Sequence, residues 1–129
     1  MDIQAVKPIT NDAVTLLASA SRTTTQTSAN LYNPYAKGIQ VVLDMTVVTA
    51  GPSVTLTING KDQASGKYYN LLTGAAVTTV TTNVYRIYPG LTAVANATVS
   101  DNVPLVFQIV VTANNANAGT YSVGYNLIT

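Results

Sequence analysis

Between Ile39 and Val48 the chain alternates strictly. Ile39, Val41, Leu43, Met45 and Val47 take one parity, and Gln40, Val42, Asp44, Thr46 and Val48 take the other. Successive side chains of a strand point to opposite faces, so this is the pattern of a half-buried strand. A turn-forming run, Ala50-Gly51-Pro52-Ser53, follows it. Val54, Leu56 and Ile58 then alternate with Thr55, Thr57 and Asn59, and the two segments together read as a β-hairpin. A second pair lies near the C-terminus. Leu105, Phe107, Ile109 and Val111 alternate up to the loop NNANAGT, and Tyr121, Val123, Tyr125 and Leu127 alternate after it.

Shorter strand candidates fill the rest: Val14–Ser19, Tyr68–Leu72, Ala75–Val80, Val84–Tyr88 and a segment within Ala93–Val99. Thr, Val and Tyr are plentiful, which suits a pleated, half-buried surface. No window of a dozen residues carries a helical apolar stripe. Seven to nine short strands with frequent turn signals predict an all-β fold, either an antiparallel β-sandwich or a jelly-roll-like barrel. A chain of 129 residues fits one domain that buries roughly two thirds of the surface exposed when unfolded. That domain is expected to span 13–129, preceded by an extended N-terminal arm over 1–12. In the arm, Ile3, Val6, Pro8 and Ile9 are the candidate contacts with a neighbouring protein.

Composition narrows the chemistry. There is no histidine and no cysteine, so the commonest general base, the commonest metal ligand and thiol chemistry are all missing. The five acids are all Asp and lie scattered, without the paired placement that carboxylate catalysis uses. Charged residues make up 9% of the chain and the net charge is +1, which offers no electrostatic footprint for nucleic acid or an anionic membrane. No apolar run reaches the length of a membrane span, and MDIQAVKPITND lacks the layout of a signal peptide. The reading is therefore a protein made in the cytoplasm, with no catalytic, cofactor or metal residues assigned.

One stretch imitates a nucleotide site. In TINGKDQASGKYYNLL, Gly60 and Gly66 flank a charged loop and Lys67 follows. A phosphate loop needs four residues between its glycines, then Lys-Ser/Thr opening a helix. Here the gap is five, Tyr68 follows the lysine, and the continuation reads as strand. A hairpin tip accounts for the same residues, with Lys61, Asp62 and Lys67 as solvated charges available to a partner. Ser21–Tyr35 is the longest candidate loop and supplies two further contact candidates, Tyr32 and Tyr35. Tyr68, Tyr69, Tyr85 and Tyr88 could stack on a sugar only from one face. Adjacent strand residues face opposite sides, so they are read as core or interface rings.

The phrases TLLASASRTTTQTS, AKGIQVVLDMT, VTLTINGKDQASGKYYNLL, NVYRIYPGL and TYSVGYNLI, taken in order from about Val14 to Ile128, carry a family resemblance. The chain resembles the small β-rich structural proteins of tailed bacteriophage virions, among them head decoration, or cement, proteins. The resemblance implies a homo-oligomer, with a trimer favoured, bound to the major capsid protein on the outer capsid surface and stabilising it without catalysis. It transfers no functional residues. A tail, neck or fibre component of the virion is the alternative, and a carbohydrate-binding or Ig-like adhesive module is a third reading.

Overall fold

The computed structural model describes residues 13–129. Ten strands lie in this range and no helix: β1 (Ala13–Arg22), β2 (Gln26–Thr27), β3 (Leu31–Tyr32), β4 (Gly38–Val48), β5 (Val54–Lys61), β6 (Tyr68–Thr73), β7 (Thr81–Ile87), β8 (Thr98–Val99), β9 (Val106–Ala113) and β10 (Gly119–Ile128). They form two sheets. One runs β1-β10-β4-β7-β8, and the other runs β2-β9-β5-β6, with β3 continuing along the same side of β9 as β2.

Leaving out the short β3 and β8 and renumbering the other eight in chain order, the sheets read 1-8-3-6 and 2-7-4-5. This is the strand order of a jelly roll. Both sheets are open, so the fold is a β-sandwich and not a closed barrel.

The core lies between the sheets and follows from the alternation. Ile39, Val41, Leu43 and Met45 of β4 are fully buried, opposed by Leu56 and Ile58 of β5 and Ile109 of β9. Phe107, also fully buried, meets the Tyr125 ring edge to face, with centroids 5.9 Å apart.

Both expected hairpins are absent. β4 belongs to one sheet and β5 to the other, so Thr49–Ser53 is an arch crossing the core; β9 and β10 are related in the same way. A hairpin and an arch demand the same apolar inner face, and alternation alone does not distinguish them. The two arches stack, because β4 pairs with β10 and β5 pairs with β9. Asparagine amides fasten them. Asn115 and Asn117 each donate through Nδ2 to the Gly51 carbonyl, at 3.0 and 3.2 Å, and Asn114 Nδ2 donates to Ser53 Oγ at 3.0 Å. Ala50 and Gly51 both have positive φ, at 60° and 72°, which reverses the chain within the arch.

Three further expectations are corrected. Ala75–Val80 is not a strand and contributes only a bridge from Val77 to Val54. The Ala93–Val99 candidate shrinks to β8, which lies parallel to β7. Val47 leaves the core face: Tyr121 pairs with Met45 but Thr120 pairs with Val47, so a bulge at Thr46 shifts the alternation and leaves Val47 49% exposed.

Candidate functional site

The antiparallel β5–β6 pair is joined by Asp62–Lys67, so the phosphate-loop lookalike is a hairpin tip. Asp62 organises it from within. Its carboxylate accepts the Ser65 hydroxyl at 2.7 Å and the amides of Ala64 and Ser65 at 3.3 Å each. The Asp62 amide donates to the Lys67 carbonyl, and Gly66, at φ 73°, donates back to the Asp62 carbonyl. These donors, the Ser65 hydroxyl first, hold the Asp62 carboxyl below the usual carboxylate range.

The sign for stability follows from that shift. A depressed folded pKa means that the bonds contribute above the unfolded value and are lost as pH falls through the folded one. An NMR titration is therefore expected to show Asp62 protonating at lower pH than an aspartate in an unstructured peptide. Coincident midpoints would mean that the loop is not held this way.

The same end of the sandwich gathers exposed aromatic surface. Lys61 pairs with Tyr68, Gly60 with Phe107 and Tyr32 with Val106, so these residues occupy adjacent rows. Tyr32 is 65% exposed, Tyr35 52%, Tyr68 42% and Leu105 55%. Tyr68 lies on the outer face of its sheet, with the Lys61 ammonium 5.6 Å from its ring centroid, and donates its hydroxyl proton to Asn30 Oδ1. That bond spans β5 and β9, so the Tyr68 side chain reaches across the outer face of the sheet. Val106 points outward by register yet is buried. Tyr69, the opposite parity, instead sits over Gly60, where any Cβ would meet its ring at 2.6 Å.

Asn33 anchors this end. It is buried and uses its whole amide: Nδ2 donates to the carbonyls of Ala36 and Val103 at 2.8 and 2.9 Å, and Oδ1 accepts the Ala36 amide at 2.8 Å. Its backbone amide donates to the Leu105 carbonyl at 2.7 Å. The segment carrying Tyr35 is thus tied to the segment carrying Leu105, which lowers the entropic cost of presenting both to a partner.

The structure brings Tyr32, Tyr35, Lys61 and Lys67 to one end of the molecule, while the Asp62 carboxylate is committed to its own loop. Ile3, Val6, Pro8 and Ile9 lie outside the described residues. The sequence does not mark Leu105 as part of this surface, and it marks Tyr68 only as a core or interface ring. Leu105 fits the inward alternation of β9, but the strand begins only at Val106, and Pro104 just before Leu105 is the available signal. Tyr85 is core, and Tyr88 is half-buried with its hydroxyl donating to the Thr129 carbonyl at 3.2 Å. Among the described residues no three acidic side chains gather as metal ligands.

A second feature lies on the flank. A cleft of about 220 Å³ opens between the edges of β1 and β2, floored by Leu16, Leu17, Ile109 and Val111. Ser28 interrupts the neighbouring edge, its amide donating to the Ile109 carbonyl and its Oγ accepting the Ile109 amide, both at 3.0 Å.

Fold and site together define a jelly-roll β-sandwich with a braced, tyrosine-bearing end. No protein-family model matches the chain, and no curated protein matches it either.

Proposed function

We propose that this protein is a structural, non-catalytic subunit of a tailed-phage virion that binds the outer face of the capsid and stabilises it. The observation that supports this reading is the tyrosine-bearing end. Tyr32, Tyr35, Tyr68 and Leu105 expose large rings and an aliphatic side chain beside Lys61, on segments tied down by Asn33 and Tyr68. Interface anchors are enriched in such aromatic residues, which bring large contact area at small conformational cost. Burying that surface against capsid subunits stabilises the contact by roughly 25 cal/mol per Å² of apolar area. A trimer would engage three such contacts at once, and linked contacts dissociate far more slowly than single ones.

The test mixes purified protein with capsids lacking it, followed by co-sedimentation and electron microscopy. Saturable binding at symmetry-related positions on the shell is the expected result. Bare shells at all concentrations would overturn the reading, and labelling at the tail or neck of whole virions would move the subunit there.

A further inference from the structure

The outer face of the sheet β1-β10-β4-β7-β8 is a different surface from the tyrosine-bearing end. On β10, β4 and β7 its residues fall into rows set by the pairing register. Asn126, Gln40 and Arg86 form the first row, Gly124, Val42 and Val84 the second, and Ser122, Asp44 and Thr82 the third. Residues of the other parity, Val41, Leu43, Tyr85 and Val123 among them, are buried in the core, which turns these rows outward. A row carrying a cation and a row carrying an anion therefore flank an apolar one. Arg86 donates through Nε to Gln40 Oε1 at 3.1 Å, and Asp44 accepts the Thr82 hydroxyl through Oδ1 at 2.9 Å. Among the described residues, the other Asp44 oxygen and the Arg86 amino groups have no side-chain partner. Successive rows are about 7 Å apart, so the two charges are anchored about 14 Å apart along the strands.

We propose that this face is the contact between two copies of the chain, packed face to face about a two-fold axis that runs along the Val42 row. Such an axis lays the middle row of one copy on the same row of the other and exchanges the outer two. The Arg86 row of each copy then meets the Asp44 row of the other, so the charge match is made twice. Val42 and Val84 meet their own counterparts at the centre. Arg86 arrives opposite Thr82, one strand from Asp44, and its remaining amino groups can reach the open carboxylate oxygen. The rotation of about 30° between packed sheets moves the rows by only a few ångströms, within the reach of an arginine. A second copy is the fitting occupant because the face already carries its own complement.

The contact is small. At about 4.8 Å between strands and about 3.3 Å per residue, the face of β1, β10, β4 and β7 covers roughly 500 Å². Interfaces of that size belong to weak, reversible encounters, so the dimer is expected to dissociate in the micromolar range. It stands apart from the capsid reading, which uses another surface and a three-fold arrangement.

Charge exchange tests it on the full chain. Sedimentation of the unaltered protein should show a monomer–dimer equilibrium. Asp44→Arg places two cations on the face and Arg86→Asp two anions, so each variant alone should self-associate about tenfold more weakly or worse. Mixed together they should form a heterodimer, since both cross-pairs are then attractive, and the chain carrying both changes should dimerise again. Circular dichroism checks the fold. If Asp44→Arg does not fold, Val84→Lys sets like charges against each other at the axis and should give the same loss. A monomer at all concentrations, an oligomer indifferent to these changes, or no heterodimer from folded, mixed variants would overturn the proposal.

Discussion

Replacing Phe107 by alanine is expected to lower the unfolding free energy by about 3–5 kcal/mol. Phe107 is fully buried, meets Tyr125 edge to face, and sits in the β9 row that continues through Gly60 to Tyr69. A domain of this size has about 5–15 kcal/mol in total, so one substitution removes a large share. Urea denaturation checks it: the midpoint should fall while the slope stays constant. A shift below about 1 kcal/mol would mean that the two sheets close over the gap.

The second large effect concerns binding. Truncating Tyr32 or Tyr35 to alanine is expected to weaken association with bare capsids by about thirtyfold or more each, the scale of a central interface anchor. Tyr68 calls for a gentler change, because alanine would remove the ring beside Lys61 together with the hydroxyl bond. Tyr68→Phe keeps the ring and removes only the hydroxyl bond to Asn30. Lys67→Ala serves as a control on the loop. Quantitative co-sedimentation at several protein concentrations reads the change, with circular dichroism confirming that the sandwich is intact. Unchanged binding by the Tyr32 and Tyr35 variants would remove this end from the contact.

The strands themselves were largely legible in the sequence. β4, β5, β7, β9 and β10 all announce themselves by alternation, because one buried face imposes a period of two. Their partners were not legible. Val48 and Val54 are separated by a short turn-rich run that would suit a hairpin, yet Ala50 and Gly51 carry the chain across the core to the other sheet. What selects the arch is distant: β10 fills the place beside β4 that a hairpin would give to β5, and β9 takes the place beside β5. Bulges were equally hidden, as Val47 shows, since an extra residue in one strand is defined only by its partner. The exposed tyrosines illustrate a third limit. Tyr32 and Tyr35 stand in a stretch rich in polar residues and could be singled out. Tyr68 became part of the site only through a bond to Asn30, 38 residues away in sequence.

The pairing of β1 with β10 has a consequence for how the molecule is made. Arg22 donates to the Tyr121 carbonyl across a separation of 99 residues, and the whole of β1 is held to its sheet through β10 alone. A nascent chain therefore carries Leu16 and Leu17 without a place to bury them until almost all of the domain has been synthesised. Bringing such distant segments together costs chain entropy before any contact repays it, which places folding in the slow, millisecond-to-second regime of topologies dominated by remote pairings. During that interval the waiting strand is open to capture by other nascent copies. The β5–β6 hairpin, closed locally and pinned by Asp62, is the natural place for order to begin while β1 waits.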